Sequence, residues 1–526
     1  MRKGMFLSSA CIAFAALIGT SAPAQGAGSA SSGTANQMSP NVRPDSADAH
    51  IKDVFAITRV YADGLKVSAI AVRYDKAIRA SSLSPAAFVV KTGVDSQRIT
   101  GVYTSTDAAY FTKTGPSGQY VVLELSTDYV IPVTVRAPQG PPAARPPSAG
   151  PPAPRVEPTP AKIDLSYNPE VLTKVGNISW EPAAHPASLV ATGKGGNGRA
   201  VSVTQIGNIK TADGKTITAG SSEKENYYVR NLTVDGFMKP DYRDPANGNL
   251  KYNIHFPRHY DPAKHYPLVM FLTDQNDSGS THADALIKAN GGVIWADREE
   301  EARHEAIVVV PLPMQPWVND KFEATRETRN GPPPGQAAQA PPAGQPSPNP
   351  AVSTPYLATL NLVDYLTANI PNIDRSRIYL TGQGDGARTA IKMLIDRPNL
   401  FAAALLFAPD YDPAQMTKLS KANLWIVASQ GDDASYQSMS SGIDALKSAG
   451  ARIGKAEWNG QAGASQLASD VRAMANANGN IKFTVLKKGT VVPSGVADDA
   501  IDNHAYTWRI GYSIPSLRDW LFAQKK

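Results

Sequence analysis

Three short stretches hold the residue types and spacing that move protons. In "IYLTGQGDGARTAIKML" (378–394), an apolar strand runs into Gly382-Gln383-Gly384-Asp385-Gly386 and then into a helix. Small residues two places either side of a tight strand-to-helix turn let backbones approach and hold a nucleophile out above a sheet. The central residue here is Gly384, which has no side chain. "NLWIVASQGDDASY" supplies Asp432 or Asp433 at the end of an apolar strand, and "DNHAYTW" supplies His504 after the last strand. An acid followed by a histidine, each just past a strand end, is the order of a carboxylate that orients an imidazole base. The chemistry is proton abstraction from a hydroxyl or a water.

Other chemistries fit the same residues less well. A dinucleotide site needs G-x-G-x-x-G near a first strand with an acid about 20 residues on. "GQGDGA" lies late and has a different spacing. "HFPRH" pairs His255 with His259 as a helical zinc site would, but Pro257 breaks the helix. Asp385 as nucleophile moves the small-residue frame onto Gln383 and Ala387, and Gln383 is too large for it. Cys11 is the single cysteine, which leaves no disulfide and no thiolate chemistry beyond it. No metal and no cofactor is expected.

The elements around these stretches divide the chain. Arg2 and Lys3, the apolar "MFLSSACIAFAALIG" and the exit "SAPAQ" describe a signal peptide over residues 1–24, cleaved after Ala24, and a secreted or periplasmic destination. The apolar run is too short to span a bilayer, so no stable membrane insertion is expected. Residues 25–50 read as a flexible leader. From 51 to 240, short β runs such as "VFAITRVYA", "KVSAIAVRY" and "QYVVLELS" alternate with turns, the pattern of a β-sandwich. From 245 to 526, apolar runs such as "YPLVMFLT" and "FAAALLFAP" alternate with amphipathic helices, the pattern of a parallel sheet covered on both faces. Segments 137–161 and 331–351 are Pro/Ala/Gly rich and read as surface inserts. A net charge of +6 over 526 residues, without basic runs, argues against nucleic acid as a partner.

"KPDYRDPANGNLKYNIHFPRHYDPAKHYPLVMFL", "RIYLTGQ", "DRPNLFAAALL", "KANLWIVASQGD" and "NHAYTWRIGYSIPSLRDWLF" resemble the secreted predicted-peptidase and esterase group of α/β-hydrolases, related to polyhydroxybutyrate-depolymerase-like esterases. "GLKVSAIAVRYDKAI" and "GQYVVLELS" resemble the Ig-like N-terminal domain attached to such esterases. The resemblance implies an all-β Ig-like sandwich ahead of a doubly wound, mostly parallel α/β-hydrolase sheet. It also implies Asp432 as triad acid, His504 as triad base, and a small ester or peptide-like ligand. Gly384 falls where the group has serine. The oxyanion loop, which usually carries His-Gly or His-Asp, reads Leu272-Thr273-Asp274-Gln275, so Thr273 and Asp274 join the elbow residues as site candidates. Asp385 stands where an uncharged residue is usual, and is expected to set a carboxylate beside the developing oxyanion. Losing a triad nucleophile costs about 10⁶ in turnover. The reading is therefore a pseudoenzyme or ligand-binding protein, with hydrolysis by a His504-activated water or an unusual nucleophile as the alternative.

Overall fold

Because successive side chains of a strand point to opposite faces, an uninterrupted apolar run needs a core on both. In the N-terminal half, Ile51–Tyr61 pairs antiparallel with Gly64–Arg79, and Val54 and Ala56 enter one core while Phe55 and Ile57 enter another. The computed structural model describes residues 44–526, except 63, 109–110, 128–200, 275–280, 289 and 313–353. Within 128–200 it gives only the backbone of two short strands, Lys174–Val175 and Ile178–Ser179. The signal segment and both Pro-rich inserts lie outside the described residues.

The sandwich consists of a five-stranded and a four-stranded sheet. The first runs Tyr228–Asn231, Ile51–Tyr61, Gly64–Arg79, Ser117–Leu125, Ile99–Ser105. The second runs Lys224–Glu225, Val201–Gln205, Phe88–Thr92, Asp95–Gln97. Ile70, Val72, Val121 and Leu123 of one sheet share a core with Phe88, Val90, Val201 and Val203 of the other. On the outer face Phe55 stacks on Tyr228 with ring centroids 4.8 Å apart. The expected leader is corrected at its end, because residues 44–50 are folded. Ala47 N–H donates to Thr218 O (3.0 Å), Thr218 N–H donates to Asp45 O (2.8 Å), and Ala47 is buried in the sandwich core. Its small side chain fits there, and the paired backbone removes the freedom that composition alone implies.

The second half is one nine-stranded sheet ordered Asp241–Asp244, Gly248–His255, Ile307–Leu312, Tyr266–Leu272, Ile373–Gln383, Ala403–Phe407, Leu424–Ser429, Ile481–Leu486, Ile453–Trp458. Gly248–His255 pairs antiparallel with both its neighbours, and every other pairing is parallel. Leu268, Met270 and Leu272 face one helix layer while Val269 and Phe271 face the other, so the strand reads as continuous apolar sequence. This is the doubly wound hydrolase architecture the resemblance implies.

The sandwich and the sheet share packing. Val60 lies in the same core as Val234, Phe237, Leu286 and Trp295. Arg59 donates from Nε and Nη2 to the two oxygens of Asp297, at 3.2 and 2.8 Å. His255 is buried, and burial pushes its imidazole down to about 3, so it is neutral. His259 is exposed. Among the described residues no helix is long and apolar enough to cross a membrane.

Candidate active site

Strand register brings the candidate residues together. In the parallel pair Tyr266–Leu272 and Ile373–Gln383, Leu272 is opposite Gly382. Just past this last pair, the Asp274 side chain reaches the turn at Gly384. The chain then turns sharply at Gly384, with φ 52° and ψ −121°, into the helix Asp385–Asp396. Gly384 N–H donates to Phe407 O at 3.0 Å and pins the turn to the next strand. The flanking glycines are required by contact. A Cβ on Gly382 stands 2.8 Å from Gly386 C, and one on Gly386 collides with Leu272 O.

Asp274 is 2% exposed. Asp385 N–H donates to its Oδ2 at 3.1 Å. In the arrangement the resemblance implies, the N–H of the residue after the nucleophile position is an oxyanion donor. A Cβ built on Gly384 overlaps Asp274 Oδ2 and lies 3.0 Å from Asp274 Cγ and 3.1 Å from His504 Nε2. The carboxylate of Asp274 therefore fills the space a side chain at 384 needs. Thr273, also buried, hydrogen-bonds through Oγ1 to the Asp274 carbonyl (3.3 Å), and Gln383 is buried at the strand end.

Asp385 departs from its expected role. Its carboxylate Oδ1 pairs with Arg388 Nη1 at 3.2 Å, one helical turn on, and so is held toward the helix. Arg388 Nε and Nη2 both donate to Asp410 Oδ1, at 2.8 and 2.5 Å, past the end of Ala403–Phe407. The carboxylate beside the oxyanion donor belongs to Asp274. Sequence reasoning missed Arg388 and Asp410. The i,i+3 spacing of Asp385 and Arg388 is the one available signal for the first of them.

His504 and Asp432 meet as the chain order implies, and the structure selects Asp432 over Asp433. His504 Nδ1 lies 2.5 Å from Asp432 Oδ2. Asp432 is 4% exposed, whereas Asp433 faces solvent. Asp432 also caps the helix Asp433–Ser448 by accepting from Ser435 N–H (3.4 Å), which fixes the carboxylate before it meets the imidazole. His504 is the fifth residue of the helix Ala500–Ser513 and packs edge-on against Trp508 one turn later, ring centroids 4.9 Å apart. Next to it, buried Asn503 bonds Ser429 Oγ (3.0 Å) and Asp498 Oδ1 (2.6 Å), anchoring this helix to the strand end before Asp432.

Burial alone pushes His504 down. The hydrogen bond and charge of Asp432, with the charges of Asp274 and Asp410, outweigh it and hold the imidazole above its ordinary 6.5. A histidine whose folded pKa is raised contributes stability that is fully present below 6.5 and lost as pH rises through the folded value. The expected result is that the His504 Cε1 proton titrates above pH 6.5 in the wild type and moves down in Asp432→Asn, as read by NMR. A titration unmoved by Asp432→Asn overturns this account of the coupling.

One further cluster of potential metal ligands, Glu300, His304 and Asp519, lies among the described residues. One oxygen of each carboxylate is engaged by cations, while Glu300 Oε1 is buried without a hydrogen-bond partner. Glu300 Oε2 accepts from Arg303 and from Arg518 Nε (2.7 Å), and Asp519 Oδ1 faces Arg303 Nη1 (2.7 Å) and His304 Nε2 (2.8 Å). It is an ion network between the short helix Arg298–Glu301 and the helix Pro515–Phe522.

Residues 53–218 match the family described as the esterase Ig-like N-terminal domain. The fold matches the crystal structure of a thermostable esterase with a TM-score of 0.59 and 22% identity, over 90% of this chain and 100% of that one. A ferulic acid esterase from the anaerobic fungus Anaeromyces mucronatus aligns with a TM-score of 0.30 and 18% identity, over 53% of this chain and 91% of that one. No curated protein matches the sequence.

Proposed function

We propose that this esterase-like chain, an α/β-hydrolase fold behind an Ig-like N-terminal domain, has given up acyl transfer through a serine. Its old catalytic cleft holds a small ester or peptide-like ligand without acylation. One observation carries this reading: Gly384 stands at the apex of the elbow, and the Asp274 carboxylate fills the volume of the side chain that would attack. Without a hydroxyl at 384 no acyl-enzyme can form there, and the Asp385 N–H is engaged by Asp274 instead of by a substrate oxygen. The signal segment supports export, with cleavage after Ala24, and the charge pattern supports a ligand other than nucleic acid.

A second reading, hydrolysis without serine, is favoured by the short His504–Asp432 contact and by His504 Nε2 facing the elbow. The test is incubation of the purified mature chain with p-nitrophenyl acetate and, separately, with a fluorophosphonate. The expected outcome is no burst of nitrophenol and no phosphonate adduct. A stoichiometric adduct on any serine of the cleft overturns the proposal.

A further inference from the structure

The helix Ala500–Ser513 buries Asn503, Thr507, Trp508, Gly511 and Tyr512 along one side. On the other, Tyr506, Arg509, Ile510 and Ser513, at i, i+3, i+4 and i+7, line a separate cavity of about 590 Å³. None of the cleft residues Asp274, Gly384, Asp385, Asp432 and His504 lines it. Its other walls come from further segments. Leu467 belongs to the helix Ala464–Asn476, Pro493 to the loop after Ile481–Leu486, and Ile514 leads into Pro515–Phe522. Ala62, between Ile51–Tyr61 and Gly64–Arg79, adds the turn of a sandwich hairpin.

The walls are tied together by the protein itself. Gln461 Nε2 donates to Val492 O (2.7 Å) and Gly460 N–H donates to Thr490 Oγ1 (3.0 Å), which joins the two loops that flank the cavity. A Cβ on Gly460 would stand 2.7 Å from Thr490 O and 3.0 Å from Ile510 Cδ1, so glycine lets this loop lie against the helix. A cavity built in advance spares its ligand the ordering of the walls.

Within this mostly apolar lining Arg509 alone is charged. Its guanidinium lies over Tyr506, 4.6 Å from the ring centroid, and its Nε is buried without a hydrogen-bond partner. Stacking covers a flat face of the group and leaves the in-plane N–H donors unmatched. Among the described residues no carboxylate forms an ion pair with it, and Asp502, two turns earlier on the helix, acts on it only through its charge. A guanidinium stays protonated wherever it is placed, so it cannot escape this setting by losing its charge.

We propose that this cavity binds a small monocarboxylate with an apolar body, the head on Arg509 and the chain among Leu467, Ile510 and Ile514. The terminal edge of a guanidinium presents two parallel N–H groups, which match the two oxygens of a carboxylate. A single cation leaves a dianion half matched, and an uncharged lipid leaves Arg509 as it is. The site lies apart from the cleft, and the inference does not depend on what the cleft does.

The probe is octanoate, titrated calorimetrically into the full mature chain. One saturable site is expected, with 1-octanol and acetate each binding at least ~10-fold more weakly, since one lacks the head and the other the body. Arg509→Met keeps an apolar stem and removes the charge. It is expected to weaken octanoate at least ~10-fold and to leave 1-octanol unchanged. His504→Gln, in the cleft, is expected to bind octanoate as the wild type does. No saturable octanoate binding by the wild type, or 1-octanol binding as tightly, overturns the proposal whatever the variants do. Octanoate binding lost in His504→Gln and kept in Arg509→Met would place the ligand in the cleft and overturns it too. The phosphonate test above reads the cleft alone. An adduct there overturns the loss of serine chemistry and leaves this site standing, whereas failure to bind octanoate overturns this inference alone.

Discussion

Gly384→Ser by itself is expected to leave hydrolysis of p-nitrophenyl acetate at the wild-type level, while Gly384→Ser with Asp274→Gly raises it at least ~10³-fold. The serine Cβ overlaps Asp274 Oδ2, so the single change must drive a buried, hydrogen-bonded carboxylate from its seat. Leaving such a group without its partner costs about 1–3 kcal/mol. A non-glycine residue at φ 52° adds backbone strain of about 1–3 kcal/mol. The second change removes the collision and also frees the Asp385 N–H, and one such donor contributes about 10²–10³ in turnover. Asp432 and His504 are already seated to take the serine proton. Initial rates of the two variants decide the matter. A single variant as active as the double would mean that Asp274 does not block the elbow.

The largest expected loss of stability is at Glu300→Ala, away from the cleft. Glu300 is 1% exposed and accepts from Arg518 Nε at 2.7 Å as well as from Arg303. Arg518 is itself buried, and its Nη1 is tied to the Tyr512 carbonyl, so the guanidinium cannot swing into water when its carboxylate is removed. An uncompensated buried charge costs about 3–5 kcal/mol. Urea unfolding of the variant is expected to show a loss of that size, and a loss under about 1 kcal/mol would mean that water reaches Arg518. Changing Glu300 and Arg518 together to similar-sized apolar residues is expected to recover most of it, because the penalty comes from the orphaned partner more than from the pair.

Much of the fold was legible because runs such as "YPLVMFL" and "NLWIVAS" are apolar on both strand faces, and only a sheet covered on both sides buries them. The glycines at 382 and 386 carried the elbow, since their spacing answers a contact requirement that any side chain violates. The helix that bears His504 was not legible. Asn503, His504, Tyr506, Thr507 and Trp508 are poor helix formers, and the helix forms because Asp499 caps it and Trp508 and Tyr512 are buried. The strand Phe88–Thr92 escaped for a related reason: it is five residues long and follows directly on a 3₁₀ turn. The role of Asp274 could not be read from spacing at all. It depends on Leu272 lying opposite Gly382, a register set across 110 residues of chain by packing on both sheet faces. Asp385, adjacent to the elbow in sequence, drew attention for its charge, and that charge is spent on Arg388.

Val60 projects from the sandwich into the core that also holds Phe237 and Trp295, and Arg59 grips Asp297 beside it. Severing the chain between sandwich and sheet would strip both of apolar surface that each relies on being covered. As a unit of recombination, then, the two halves travel as one. A gene fragment carrying the sheet alone inherits an open seam at Leu286 and Trp295, and a sandwich grafted elsewhere carries Val60 outward, in search of a matching face.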